Sequence, residues 1–268
     1  MDRNHVSKHH DRGQGSRGDG TPRQAWHPSN VTQENTTKES ASLATAADRV
    51  PVRVWDWPVR VAHWAIFALV VVSVATGLVG GNAMEWHLRS GFGILALVLF
   101  RILWGFLGSH HARFASFVRG PAAVIAYARS LLKPPPVAYT GHNPLGGWYV
   151  VLLLAALLAQ AATGLFANDD IATEGPLAKR ISDDLSDRFT SLHVIGAWVV
   201  VGLASVHIGA AFFYLVAFKE NLIRPMVTGV KLVPRRIGEV ATRPVTSARA
   251  VALLGICAYA VWVLFTET

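Results

Sequence analysis

Charged side chains are scarce in this sequence. Of its 268 residues only 16% are Asp, Glu, Lys or Arg and 51% are hydrophobic, whereas a soluble domain usually carries about 25% charged residues. The deficit grows once residues 1–50, which are polar throughout, are set aside. The rest of the chain is too apolar for a soluble globular protein, so we expect an integral membrane protein.

Cysteine and the common catalytic motifs are also lacking. Cys257 is the single cysteine, which excludes an intrachain disulfide, a Cys-x-x-Cys metal site and the Cys-x-x-Cys-His motif of covalent haem attachment. No Gly-rich phosphate loop and no nucleophile elbow occur in the sequence. The N-terminus has no short apolar run followed by small residues, so a cleavable signal peptide is not expected.

The net charge of +8 raises the question of nucleic-acid binding. The basic residues, however, stand beside apolar runs rather than in one patch, which is typical of a membrane protein with basic loops on one side. We therefore expect contact with a lipid bilayer and none with nucleic acid. Residues 1–50 cannot bury enough apolar surface to fold, and a disordered tail is expected there.

Five apolar stretches have the length of a membrane span, roughly 17–25 residues. They cover residues 61–81, 88–108, 147–167, 192–217 and 248–265. Lys and Arg concentrate before the first stretch, between the second and third, and after the fourth, whereas segment 168–191 is mainly acidic. Because basic loops stay in the cytoplasm, we expect a cytoplasmic N-terminus. An odd number of spans then leaves the C-terminus outside.

The basic loop before the third stretch has two further features. Residues 121–133 begin at Pro121 and are expected to form an amphipathic helix on the membrane surface, or else an ordinary loop. His110, His111 and His142 lie at the two ends of this loop. They could exchange protons at a quinone site, or be ordinary surface histidines.

Four histidines lie within or at the edges of the apolar stretches, where an ionisable side chain is costly and indicates function. They are His63, His87, His193 and His207. His193 and His207 are 14 residues apart, which on a helix places them within about 40° of one face and about 21 Å apart along the axis. Each could therefore face a partner near a different side of the membrane.

The alternating direction of the helices predicts the partner of each histidine. His87 and His193 both lie near the outer side, while His63 and His207 both lie nearer the cytoplasm. Neutral imidazole is an axial ligand of haem iron, so the two pairs predict two non-covalent, bis-histidine b-type haems. The alternative is four unrelated polar residues that hydrogen-bond to backbone at helix ends.

Other residues of the stretches are weaker candidates. Arg101 lies 14 residues after His87, so it shares a helix face with it at the depth of the inner haem, where it could pair with a propionate; snorkelling towards the cytoplasm is the alternative. Gln160 favours an interhelical hydrogen bond. Glycines could let a flat macrocycle approach the backbone, or could serve helix packing. The glycines considered are Gly91, Gly93, Gly196 and Gly202.

Several motifs resemble those of the bacterial cytochrome b561 and Ni,Fe-hydrogenase b-type cytochrome superfamily, and the resemblance covers residues 52–231. The motifs are Val54-Trp55-Asp56-Trp57-Pro58 with Arg60 and His63-Trp64, then His87 through Gly91 to Arg101-Ile102-Leu103-Trp104-Gly105, then Gly141-His142-Asn143-Pro144-Leu145-Gly146-Gly147, and finally Leu192-His193, Val206-His207, Glu220-Asn221 and Met226-Val227-Thr228-Gly229. The resemblance implies that His63, His87, His193 and His207 are haem ligands, in agreement with the pairs predicted from depth.

The resemblance also implies an all-α transmembrane fold of the bacterial inner membrane. We expect a disordered cytoplasmic tail at 1–50, a four-helix dihaem cytochrome b domain at 51–231, and a linker with a fifth transmembrane helix at 232–268. Such cytochromes pass electrons between quinone and a hydrogenase, another dehydrogenase or a c-type cytochrome. Two alternatives stay open, a stand-alone quinone-linked oxidoreductase such as a superoxide oxidase, and a cofactor-free transporter or structural subunit.

Overall fold

The computed structural model describes residues 48–133, 137–169, 173–237 and 247–266. In chain order the elements are β1 (Arg49–Arg53), α1 (Trp57–Val79), α2 (Met84–Leu107), α3 (Phe114–Phe117), α4 (Pro121–Ser130), α5 (Pro144–Gly164), α6 (Asp183–Ala217), α7 (Ile223–Thr228), β2 (Val230–Pro234) and α8 (Ser247–Thr266). The predicted tail at 1–50 lies outside the described residues except for its last three positions, and Arg49 and Val50 begin β1. The predicted domain boundaries stay a prediction.

Five of the helices, α1, α2, α5, α6 and α8, are long and apolar enough to cross a membrane. The predicted all-α transmembrane fold with five spans is confirmed. The largest difference from the predicted bounds concerns α6, which begins at Asp183 rather than at residue 192. Hydropathy detects only the apolar part of a helix, whereas Asp183 and Asp184 in the first turn favour the helix N-terminus electrostatically.

Helix α2 is the centre of the bundle and packs against α1, α5 and α8. Its Val98 and Trp104 are fully buried. The fifth spanning helix α8 buries Ala250, Cys257 and Val261 against this assembly. The extra helix therefore covers one side of α2, and apolar packing stabilises this contact.

Helix α6 packs along α5 and has far less contact with the rest of the bundle. Within the described part of the chain, neither α1 nor α2 packs extensively against α6, although both lie across from it. His207 is exposed even though it lies in the middle of α6. Helix α6 is therefore separated from α1 and α2 in the region where the four membrane histidines lie.

A two-stranded antiparallel sheet joins the start of the bundle to the segment after α6. Arg49 pairs with Pro234 and Arg53 with Val230. The backbone N–H groups of Val54 and Trp55 then donate to the carbonyl of Gly229, at 2.9 and 3.2 Å. Gly229 has φ of +82°, a conformation that glycine adopts without steric cost. The sequence did not predict this sheet, because the strands are short and far apart along the chain.

Asp56 links the beginning of α1 to the buried end of α2. Its Oδ1 accepts a hydrogen bond from Val59 N, at 2.9 Å, and caps the helix. Its Oδ2 accepts from Nε1 of Trp104, also at 2.9 Å. One carboxylate therefore satisfies both a free helix N–H and a buried indole.

We expect Asp56→Ala to lower the free energy of unfolding by about 3 kcal/mol, because a lost N-cap costs about 1 kcal/mol and an unsatisfied buried donor about 1–3 kcal/mol. Unfolding in mixed micelles of SDS and mild detergent, followed by tryptophan fluorescence, measures the effect. Asp56→Asn keeps one acceptor oxygen and should lose roughly half as much. Equal stability of the alanine variant and the unsubstituted protein would contradict this role of Asp56.

Candidate functional site

The four membrane histidines form two facing pairs. The ring centroids of His63 on α1 and His207 on α6 are 6.1 Å apart. Those of His87 on α2 and His193 on α6 are 5.8 Å apart. These are the pairs predicted from depth. The first lies towards the basic side of the bundle, where α2 and α6 end, and the second towards the acidic side, where α5 ends.

Each pair is spaced for one metal ion between two imidazoles. A metal–imidazole bond is about 2 Å long, so a metal bound by one nitrogen of each ring separates the ring centroids by about 6 Å. Among the described residues, no group of three or more His, Cys, Asp or Glu side chains could hold a bare metal ion. Two axial imidazoles are sufficient for haem, because the macrocycle supplies the other four nitrogens. The donor set therefore fits haem.

In the acidic-side pair both rings are oriented by backbone carbonyls. Nδ1 of His87 lies 2.8 Å from the carbonyl oxygen of Ser73. Nδ1 of His193 lies 3.0 Å from the carbonyl oxygen of Gln160. An Nδ1–H that donates to a carbonyl leaves Nε2 with its lone pair, as a metal ligand requires.

Two glycines that the sequence did not single out lie against these rings. A Cβ on Gly77 would come within 3.0 Å of Nδ1 of His87, and a Cβ on Gly164 within 2.8 Å of Cε1 of His193. Each imidazole thus packs directly on the backbone of a neighbouring helix. Gly77 precedes His87 by ten residues across a short turn, so the two residues lie at a similar depth in the membrane. This similarity of depth is the sequence feature that could have predicted their contact.

The basic-side pair is held differently. The ring of His207 stacks on Tyr149 of α5, with centroids 6.2 Å apart and planes 12° apart. The hydroxyl of Tyr149 donates to the carbonyl of Leu203, at 2.7 Å. The Nδ1 of His63 is buried and has no hydrogen-bond partner among the described residues. Aromatic packing, rather than carbonyl acceptors, therefore orients this pair.

Arg101 is buried, with 6% of its surface exposed. Its guanidinium donates to the carbonyl of Ala112, at 3.3 Å, and lies over the ring of Phe114. It forms no ion pair with any carboxylate of the described residues. The side chain does not snorkel into solvent, and its pairing with a propionate stays a prediction.

The structure also shows where the other candidates from the sequence lie, namely Gln160, the glycines and the amphipathic helix. Gln160 makes the predicted interhelical bond, donating from Nε2 to the carbonyl of His193 at 2.9 Å. Gly91 and Gly202 face open space, whereas a Cβ on Gly93 would meet Leu69 and one on Gly196 would meet Gln160. The predicted amphipathic helix is present as α4 and ends at Ser130.

The comparison with known proteins agrees with this geometry. The family model of the prokaryotic cytochrome b561 matches residues 54–229, a range that contains all four histidines and Arg101. This chain belongs to that family. Membership implies a b-type haem, electron transfer and a multi-pass membrane protein. The cytochrome has no match among solved structures.

Curated relatives carry a more specific name, that of a probable Ni/Fe-hydrogenase B-type cytochrome subunit. The protein of Bradyrhizobium diazoefficiens is 26% identical over 223 residues, which cover 70% of this cytochrome and 89% of the relative. That of Rhodobacter capsulatus is 24% identical over 248 residues, covering 78% and 90%. That of Cupriavidus necator is 24% identical over 230 residues, covering 73% and 93%.

Proposed function

We propose that this cytochrome binds two b-type haems and carries electrons between the two sides of the bacterial inner membrane, with its N-terminus in the cytoplasm. The two facing histidine pairs are the observation that carries the proposal. His63 and His207 would ligate one haem and His87 and His193 the other. The 14-residue spacing of His193 and His207 on α6 corresponds to about 21 Å along the axis.

The protein's own residues would position and enclose the haems. A bound haem supplies the reversible ferric–ferrous couple. Both imidazoles of each pair would ligate the haem iron, which would leave no open site on it for oxygen or a substrate. The carbonyls of Ser73 and Gln160 hold the acidic-side rings in one tautomer. Tyr149 holds the ring of His207 in place by stacking.

The proposed electron-transfer partners are quinone and a hydrogenase or another dehydrogenase. The printed names of the relatives support a hydrogenase, and a c-type cytochrome is the further option. Acidic residues Asp183, Asp184 and Asp187 in the first turns of α6 could steer a basic partner to the acidic side. Quinone would exchange electrons at an edge of one haem that faces the bilayer.

Purified protein in lipid nanodiscs tests the proposal. We expect a pyridine-haemochrome assay to give two b-type haems per chain and a quinol to reduce at least one of them. Carbon monoxide should leave the reduced spectrum unchanged, because two histidine ligands per haem would leave the iron no open site. A colourless preparation from haem-replete cells would contradict the proposal and favour a transporter or structural subunit. Turnover of superoxide with quinone as acceptor would favour the stand-alone oxidoreductase.

A further inference from the structure

Buried polar atoms without a hydrogen-bond partner concentrate near the basic end of α2. Five such atoms among the described residues lie on this side, namely Nε of Arg60, Nδ1 of His63, Oγ of Ser109, Nε2 of His111 and Nδ1 of His142, whereas Oε1 of Gln160 lies by His193 on the acidic side. An unsatisfied buried donor costs about 1–3 kcal/mol, and native proteins leave few of them. Each of the five can donate a hydrogen bond, so a group that accepts hydrogen bonds would satisfy them.

Three of the side chains at this end share one neighbourhood. Arg101 donates to the carbonyl of Ala112, the residue after His111. A Cβ on Gly141, the residue before His142, would lie 3.3 Å from Nδ1 of His111. The guanidinium of Arg101 lies over the ring of Phe114, and Phe117, which packs on Phe114, contacts the ring of His142. A guanidinium and two imidazoles are therefore gathered around the same space.

The ring of His142 is held in position by aromatic residues. Its centroid lies 4.6 Å from that of Trp55 and 4.7 Å from that of Phe117. Burial, followed by the positive charge of Arg101, lowers the pKa of His142 to about 3. Burial also lowers the pKa of His111. An imidazole has at least one N–H to donate in either protonation state.

Among the described residues, no carboxylate forms an ion pair with Arg101. Asp56 lies within electrostatic range of Arg101, but its two oxygens accept from Val59 N and from Trp104 Nε1. The charge of Asp56 acts on Arg101 without direct contact, so a carboxylate in contact with the buried guanidinium would further offset its desolvation. A neutral acceptor such as a quinone carbonyl would satisfy a donor but would not offset this charge.

We propose that Arg101, His111 and His142 form a carboxylate-binding subsite, which takes a propionate of the haem held by His63 and His207. The subsite lies on the same side as that pair. Trp55, which contacts the ring of His142, is eight residues before His63, and Asn143 donates to the hydroxyl of Tyr214, seven residues after His207 on α6. The charge-assisted bond to Arg101 is the strongest contact, and the two imidazoles are positioning donors. The proposal rests on the haem ligation proposed above.

The test uses the full-length protein in nanodiscs, with haem labelled by ¹³C at the propionate carboxyl groups through biosynthesis from labelled aminolevulinate. Redox-induced infrared difference spectra then identify the propionate bands by their isotope shift. We expect His142→Leu and His111→Leu to shift a ¹³C-sensitive carboxylate band. His142→Asn, which keeps an N–H near the position of Nδ1, should leave that band close to its original frequency.

His110→Leu is the matched control, because His110 is exposed and adjoins His111, and its spectrum should equal that of the unsubstituted protein. The subsite is wrong if both leucine variants hold two haems and their ¹³C-sensitive bands do not move. A shift only in bands that are insensitive to the ¹³C label would also contradict the proposed subsite, and would indicate a quinone carbonyl there instead. Absence of haem from the unsubstituted protein would refute the haem proposal itself, and the subsite with it.

Discussion

Replacing His193 with alanine is expected to reduce the haem content of the purified cytochrome from two per chain to one. The ring of His193 faces that of His87 at 5.8 Å and has its Nδ1 on the carbonyl of Gln160, so its loss removes one of two axial ligands. The haem, which has no covalent link, would then be held by one imidazole and by packing alone, and we expect it to be lost during purification. The pyridine-haemochrome assay measures the loss directly.

The same experiment tests the pairing. His87→Ala should give the same residual spectrum as His193→Ala, and His63→Ala should match His207→Ala with the other haem retained. A double variant within a pair should lose no more haem than either single variant, whereas one across pairs should lose both haems. His110→Ala serves as the control. Identical residual spectra for His63→Ala and His193→Ala would contradict the pairing.

Gly164→Ala is expected to lower the occupancy of the acidic-side haem, so that haem content falls from two towards one per chain. The added Cβ would lie 2.8 Å from Cε1 of His193, closer than real Cβ contacts, and 3.1 Å from its Nδ1, which is tighter than most. The ring must therefore move, and it loses its bond to the carbonyl of Gln160. Haem content and the reduced-minus-oxidised spectrum check this result.

Helix α6 offers matched controls for this substitution. A Cβ on Gly202 or Gly209 would meet no atom within 4 Å, so Gly202→Ala and Gly209→Ala should retain two haems and unchanged spectra. Gly77→Ala should have a smaller effect than Gly164→Ala, because its Cβ would lie 3.0 Å from His87 rather than 2.8 Å. Two haems with unchanged spectra in Gly164→Ala would show that this glycine does not set the ring position.

The sequence by itself determined the class of the protein, the number of spans and the pairs of histidines. These features follow from local properties. Hydropathy over about 20 residues indicates a membrane helix, and the fixed rise of a helix converts the position of His193 or His207 into a depth. Opposite directions of successive spans then select the partner at the same depth.

The tertiary structure alone decided how the rings are oriented and what surrounds them. The contacts of Gly164 with His193 and of His142 with Trp55 join residues distant along the chain, and the β1–β2 pairing does the same. No local periodicity encodes such contacts, because they depend on the rotation of each helix about its axis and on the separation of α6 from α1. Packing of side chains across the whole bundle sets both.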